Sequence, residues 1–294
     1  MLSILIPIFN YDVFPLVKEL QNQCLECAID FEILCFDDFS VVDNPSNFEI
    51  NKLKNCHFKI LEKNVGRSAI RNLLANHATF ENLLFLDADT LPSDDQFVSR
   101  YLNQINQEEK VVYGGIKYQI KKPEKAKIFR FTYGVNREAL SLENRKKNVY
   151  LSLLTLNFMI KKSIFEKVKF NVDIPNLRHE DTLFSFDLKK QKIKILHIEN
   201  PVLHLGLDVF EIAIKKEKQS IIALKNLIEN NLISNDYVSI SRVYFKIKKY
   251  KIAFIFRYLY KIAEKPMLKN LSSTNPSLFV FDLFRLGYLC SLEN

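Results

Sequence analysis

The residues Leu2-Ser-Ile-Leu-Ile-Pro-Ile-Phe9 form a nearly unbroken apolar run that stops at Asn10-Tyr11-Asp12. A strand wet on one face alternates polar and apolar side chains. An unbroken Ile-rich run fits a strand covered on both faces, as in a parallel sheet. The next segment, Phe14 to Cys27, carries apolar residues at helical spacing (Phe14, Val17, Leu20, Cys24, Cys27). A second strand is predicted at Phe31–Phe36 and a third at His57–Leu61. A helix is predicted over Ser68–Ala78, with Ile70, Leu73 and Leu74 on one face. Another apolar run, Asn82-Leu-Leu-Phe-Leu, then ends in Asp87-Ala-Asp89. Strand and helix in alternation are the grammar of an open α/β sheet.

Beyond Lys110 the alternation loosens. Val111–Tyr118 reads as one strand through Gly114-Gly115, Lys121–Arg130 as a basic connection, and Leu151–Ile160 as an apolar segment. Asp181–Lys190 suits a short helix and Ile193–Ile198 a strand. After Asp208 the pattern is helical throughout, with Pro266 and Pro276 as breaks. The expected organisation is an α/β domain over 1–210 and a basic helical extension over 211–294, packed on the first part or on a membrane surface. The 294 residues are 48% apolar and 26% charged, which excludes wholesale disorder, a collagen-like chain and a coiled-coil rod. Met1–Asn10 lacks the basic start and small-residue cleavage site of a signal peptide. No uncharged run approaches the ~20 residues that span a bilayer, so a cytoplasmic location is expected. Five cysteines, an odd number, fit reduced buried thiols better than a disulfide framework. Cys24-x-x-Cys27 with Cys56 and His57 has the composition of a zinc site, but helical spacing already explains the pair as core residues.

Carboxylates gather where strands are predicted to end. Asp38 closes the second strand, and Asp87 and Asp89 close the run at 82–86. In an open α/β sheet, ligands bind outside the carboxyl ends of the strands. If the strand persists, Asp87 and Asp89 point to one side, where their repulsion needs a cation or hydrogen bonds. Mg²⁺ or Mn²⁺, hard ions with oxygen ligands, would meet that need and could hold a diphosphate. The plainer alternative is a carboxylate-rich turn before the next helix. There is no Gly-x-Gly-x-x-Gly after the first strand, no P-loop and no Gly-x-Ser-x-Gly, so the usual dinucleotide, NTP and serine-hydrolase signatures are missing.

In order along the chain, Ser3-Ile-Leu-Ile-Pro-Ile-Phe-Asn10, Phe31-Glu-Ile-Leu-Cys-Phe-Asp-Asp-Phe-Ser40, Asn64-Val-Gly-Arg-Ser-Ala-Ile-Arg-Asn72, Leu84-Phe-Leu-Asp-Ala-Asp89 and His179-Glu-Asp-Thr-Leu183 resemble the landmarks of glycosyltransferase family 2. The resemblance covers about residues 1–207. It implies a GT-A fold: a mixed nucleotide-binding sheet flanked by helices, a nucleotide-sugar donor (a UDP-sugar), and inversion at the anomeric carbon. On it, Pro7 and Phe9 line the base pocket, Asp38 accepts from the base, and Arg67 or Arg71 sits near the base or diphosphate. Asp87 would hold the ribose, and Asp89 and His204 the metal, Mn²⁺ or Mg²⁺. Asp181 is the expected general base, with Glu180 orienting it or touching the acceptor. Alternatives stay open: Asp38 as an Asx-turn, Arg71 as a solvated side chain, Glu180 and Asp181 as acids favoured by a helix N-terminus, and His204 as structural.

The net charge is +8, and thirteen basic against six acidic residues fall between Asp208 and Asn270. Arg242–Ile262 read as one helix sets basic residues at 242, 246, 249, 257 and 261 apart from Ile247, Tyr250, Phe254 and Tyr258. Such a helix packs its apolar side on the protein with a wet basic face, or lies on an anionic membrane. The resemblance implies a glycan or lipid-linked acceptor in cell-surface polysaccharide synthesis, and with it an expected place at the inner face of the cell membrane. Two other classes compete: a nucleotidyltransferase, whose Gly-rich basic loop is missing, and a nucleic-acid-binding protein using the tail. No nucleic acid partner is expected.

Overall fold

The computed structural model describes residues 1–176 and 178–292. Its first half runs β1 (Leu2–Ile8), α1 (Phe14–Glu26), β2 (Phe31–Asp37), β3 (Cys56–Ile60), α2 (Arg67–His77), β4 (Asn82–Leu86), β5 (Thr90–Pro92) and α3 (Phe97–Leu102). There follow β6 (Lys110–Tyr113), β7 (Ile116–Lys117), α4 (Ile128–Tyr133), α5 (Leu142–Lys146), β8 (Asn157–Lys161) and α6 (Lys162–Phe165). The remainder is α7 (Glu180–Lys190), β9 (Lys194–His197), β10 (Val202–His204), α8 (Phe210–Glu229), α9 (Ser239–Lys249), α10 (Ala253–Leu271) and α11 (Leu278–Ser291). Two compact units emerge: one holds 1–119, 139–176 and 180–206, the other 120–138 and the stretch from Leu207 onward.

The first unit is built on a seven-stranded sheet in the order β3-β2-β1-β4-β8-β6-β9, with a small second sheet, β5-β10-β7. The unbroken apolar run of β1 has the expected cause. Leu2, Ile4, Ile6 and Ile8 face one core with Leu16, Val17, Leu20 and Cys24 of α1. Leu5 faces the opposite core with Ile70, Leu74 and Ala75 of α2. β2 and β4 split the same way, Ile33 and Leu84 to one side, Leu34 and Phe85 to the other. Each such fully buried side chain contributes about 1.5–3 kcal/mol relative to exposure. The second core is dominated by phenylalanines, with Phe85 stacked on Phe158 at 4.9 Å and Phe170 on Phe184 at 4.4 Å.

The sheet is parallel only in part. β1 pairs β2 and β4 in parallel, but β8 runs antiparallel to both β4 and β6. The strand expected over Val111–Tyr118 is two: β6 stays in the large sheet and β7 joins the small one. The break falls at Gly114-Gly115 because a buried polar knot lies there. Tyr101 Oη donates to Asn157 Oδ1 (2.7 Å), while Asn157 Nδ2 donates to the carbonyls of Gly115 (2.8 Å) and Asn200 (3.0 Å). All three side chains are buried, so every polar atom there needs a partner.

The cysteines are reduced thiols. Burial pushes Cys24 and Cys56 up to about 12 and raises Cys35 well above its ordinary value, so these groups stay protonated at neutral pH. Among the described residues no group of three or more His, Cys, Asp or Glu is placed to hold a metal.

In the second unit, α8 packs with α4 and α11, and α10 lies along α11. Two expectations fail here. The helix read over Arg242–Ile262 is interrupted at 250–252, where Lys251 takes φ 58° in the left-handed region. Pro266 is no break and sits inside α10. Tyr260 before it and Met267, Leu268 and Leu271 after it all pack in one cluster with Phe281 and Phe284. That packing offsets the hydrogen bond the proline cannot donate. The Lys121–Arg130 connection also turns helical at its end, entering α4. No helix among the described residues is long and apolar enough to cross a membrane.

Gly114 provides a test of the polar knot. A methyl group there would land on the Asn200 carbonyl oxygen, 2.6 Å from Asn157 Nδ2 and 2.7 Å from Tyr101 Oη. Gly114→Ala is expected to cost about 2–3 kcal/mol through overpacking. A lower urea midpoint at unchanged m-value is the measurement; an unchanged midpoint would mean the knot yields.

Candidate functional site

Pro7, Asp38 and Asp87 emerge at one edge of neighbouring strands, because β1 is level with β2 from Leu2↔Phe31 to Ile8↔Asp37 and with β4 at Leu5↔Phe85. Phe9, just past β1, leaves 53% of its surface exposed, and Phe39, past β2, leaves 51%. Both strand ends turn sharply, with Asn10 at φ 55° and Phe39 at φ 61°. They are tied together: Asn10 N donates to Ser40 Oγ (2.6 Å), and Val41 N to Asn10 Oδ1 (2.9 Å). Positive φ at a bulky residue such as Phe39 is costly and is kept only where the surroundings impose it.

Asp38 is buried, and its carboxylate accepts from Val65 N (2.6 Å) and Gly66 N (2.9 Å) in the loop before α2. Burial raises its pKa, and these two donors oppose the rise. Each oxygen retains a second lone pair. The Asp38 carboxylate therefore both shapes the loop and stands at the strand edge.

The two carboxylates of Asp87-Ala-Asp89 do not share one side, as a continuing strand would require. β4 ends at Leu86, the chain turns, and β5 begins at Thr90 in the other sheet. Thr90 Oγ1 donates to the Asp87 carbonyl (2.7 Å) and holds the turn. Asp87 therefore faces α2, where Arg71 Nη2 donates to its Oδ1 at 2.6 Å. Asp89 faces β10, with Oδ2 3.4 Å from His204 Nε2. Gly206 lies against the same oxygen so closely that a Cβ there would occupy its place, and Leu205 N donates to the Asp89 carbonyl (2.8 Å). The His204 ring sits 5.4 Å from that of Tyr118, and its Nδ1 is buried with no hydrogen-bond partner among the described residues. Tyr11 completes the surroundings: burial and the nearby Asp89 charge raise its pKa.

Arg71 is the centre of a charge cluster. Its side chain is 6% exposed, with the guanidinium 5.5 Å from the Phe170 ring centre. Burial alone would lower its pKa, but Asp87 and Glu180 more than offset that and hold it above the ordinary value. Glu180 and Asp181 open α7. Glu180 Oε1 lies 3.9 Å from Arg71 and 3.8 Å from Arg67, which is half-exposed at the start of α2. The Asp181 carboxylate accepts from Thr182 N at 2.7 Å. Arg71 is thus no solvated side chain. Tyr11, Tyr118 and Gly206 also belong to this neighbourhood. Only the Gly206 position had a signal in the sequence, a glycine two residues after His204.

The Arg71–Asp87 pair makes a pH-dependent prediction. Burial raises the Asp87 pKa, Asp89 adds to the rise, and Arg71 opposes it. Removing Arg71 raises it further, so the charged carboxylate costs most once the pH exceeds that value. Arg71→Gln is expected to lose about 2–3 kcal/mol near neutral pH, below the full buried-pair figure because Asp87 keeps a third of its side chain exposed. The loss should shrink as the pH falls from neutral into the acid range where Asp87, its pKa raised by burial, is protonated. Urea midpoints across that range decide it; a loss independent of pH would assign the cost to packing on Phe170 instead.

Residues 3–169 match the family model of glycosyl transferase family 2. Among solved structures, the chain is similar to the mannosyltransferase PcManGT from Pyrobaculum calidifontis in complex with GDP-Man and Mn²⁺. That match has TM-score 0.54 and 12% identity, covering 78% of this chain and 64% of that one. It is also similar to S. aureus TarS, in a fragment solved with UDP-GlcNAc. There the TM-score is 0.53 at 16% identity, covering 97% of this chain and 89% of the fragment. A longer TarS chain matches with TM-score 0.51 at 15% identity, covering 98% of this chain. The chain thus spans less than two thirds of the mannosyltransferase chain and 54% of the longer TarS chain. No curated protein sequence matches. At such identities the likeness carries the fold, and the family model carries the activity. The chain belongs to glycosyltransferase family 2 and is a glycosyltransferase of the GT-A fold.

Proposed function

We propose that this glycosyltransferase moves a sugar, with inversion, from a UDP-sugar to a hydroxyl of a glycan or lipid-linked acceptor in cell-surface polysaccharide synthesis. The observation that carries the reading is the separation of charge at the strand ends. Asp87 is neutralised by Arg71, while Asp89 faces an imidazole across 3.4 Å beside a glycine. Asp89 and His204 fit Mn²⁺ or Mg²⁺. These two side chains would hold the ion, and a bound ion would balance the charge developing on the diphosphate. The exposed Phe9 ring and Pro7 offer a face to the base, and Asp38 an acceptor for its N–H. The Asp87 carboxylate suits a ribose hydroxyl, and Arg67 the diphosphate.

In the transfer, the acceptor oxygen bonds to the anomeric carbon as the bond from that carbon to the diphosphate oxygen breaks. The hydroxyl proton passes to a carboxylate, and the nucleoside diphosphate leaves. We assign that carboxylate to Asp181, at the N-terminus of α7. Glu180, whose charge is balanced by two guanidinium groups, is the positioning residue.

Binding and chemistry should fail separately. Asp89→Ala is expected to lose Mn²⁺-dependent affinity for UDP, read by calorimetry; an unchanged affinity would remove Asp89 from the donor site. Asp181→Asn keeps the shape but cannot take a proton. Its donor affinity should stay within about threefold while transfer falls by about 10²–10⁴, in kcat and kcat/KM alike. Glu180→Gln should cost less. Loss of transfer in Glu180→Gln with activity intact in Asp181→Asn would reverse the assignment.

A further inference from the structure

α10 is apolar on two sides, and only one is covered. Tyr260 and Leu271 pack inward with Phe281 and Phe284 of α11. Outward, Phe254, Ile255, Tyr258, Leu259 and Ile262 form a ridge over the first three turns, each between 41% and 64% exposed. The sequence reading set Phe254 and Tyr258 with Ile247 and Tyr250 on one apolar side, to be packed on the protein or laid on an anionic membrane. Only Ile247 is buried there. Further along the same helix, Lys261, Lys265 and Lys269 are exposed. An apolar ridge of this length is not left to water without a reason.

The charge pattern says what covers it. Residues 239–271 hold nine basic residues and one acidic one. That surplus equals the whole net charge of +8, leaving 33 basic against 33 acidic residues in the rest of the chain. The one acid, Glu264, is taken up inside the unit, where its Oε1 accepts from Lys218 Nζ (2.8 Å) and Tyr260 Oη (2.7 Å). The segment therefore offers its partner an aromatic and aliphatic ridge flanked by the exposed Lys249, Lys261, Lys265 and Lys269. A stacked nucleic acid would use the aromatic rings but not Ile255, Leu259 or Ile262. A protein interface of ordinary composition would be depleted in lysine. Aliphatic and aromatic side chains between lysines match the boundary between anionic headgroups and acyl chains.

We infer that α9 and α10 form a peripheral membrane-binding surface. The ridge Phe254–Ile262 enters the interface of an anionic bilayer, and Lys249, Lys261, Lys265 and Lys269 meet its headgroups. No transmembrane insertion is involved, in keeping with the length and polarity of α10. The surface stands independently of the donor chemistry, so its test needs no activity measurement.

The full chain is mixed with vesicles of phosphatidylcholine containing phosphatidylglycerol, and with vesicles of phosphatidylcholine alone, at about 0.1 M salt. It is expected to float with the anionic vesicles and not with the neutral ones. One variant carries Phe254→Ser, Tyr258→Ser and Ile262→Ser; a second carries Lys249→Gln, Lys261→Gln, Lys265→Gln and Lys269→Gln. The lysine set is expected to weaken partitioning by about 10²–10³-fold, from the usual worth of basic residues near such a surface. The ridge set should weaken it at least about tenfold. Circular dichroism monitors folding, and the lysine set, whose four side chains are all exposed, keeps the test valid if the ridge set unfolds. The proposal falls if wild-type chain does not float with anionic vesicles, or if the lysine set floats as well as wild type. It also falls if the ridge set breaks a lipid-free dimer seen by ultracentrifugation, or if single-stranded RNA binds in the vesicles' place.

Discussion

A carboxylate held at a buried strand end is the constraint on which this site turns. Asp87 has neither the freedom of a surface acid nor the option of leaving, because β4 delivers it there and the turn to β5 fixes it. Arg71 makes the charge tolerable. Its guanidinium is backed by Phe170, part of the phenylalanine cluster beneath the sheet, so the cation is positioned by packing before it meets the acid. A planar, weakly hydrated guanidinium can be buried this way, whereas an ammonium pays more to leave water. Arg71 also reaches toward Glu180, which links the start of α7 to the same pair. One cation thus sets the relation between a helix, a strand end and a second helix N-terminus.

The change of sheet between Asp87 and Thr90 gives two neighbouring acids different tasks. Had β4 continued, Asp87 and Asp89 would have shared a face and repelled each other. The turn sends one to Arg71 and the other to His204. β10 completes the arrangement by pairing antiparallel to β5, with His204 level with Thr90 and Leu205 N bonded to the Asp89 carbonyl. The second sheet, only three short strands, serves mainly to carry this corner.

The parallel strands and the acids at their ends were legible in the sequence because burial on both faces leaves an unbroken apolar run, and strand ends follow from where it stops. The direction of β8 was not, since no local pattern tells a strand which way to run. Nor was the break at Gly114-Gly115: both halves are apolar, and what separates them is a knot of Tyr101, Asn157 and Asn200 brought together from distant positions. The Arg71–Asp87 pairing was equally hidden, because an arginine at helical spacing looks the same whether solvated or buried. In the tail, helical periodicity shows that two sides differ but not which is covered. The inward turn of Glu264 and the exposure of Phe254 and Tyr258 belong to tertiary structure alone.

The thiols have a practical consequence. Cys24, Cys35 and Cys56 are buried and held protonated, so they are poor nucleophiles at neutral pH toward the reagents used to attach dyes and spin labels. Cys27, at the end of α1, is the more accessible one, and even its thiol is shifted upward, by burial first and by Glu26 second. A cysteine introduced at an exposed position would have the thiolate fraction these lack, and would react ahead of them. The native core can therefore keep its sulfur while the surface takes a single spectroscopic reporter, without the cysteine-free background that such work often requires.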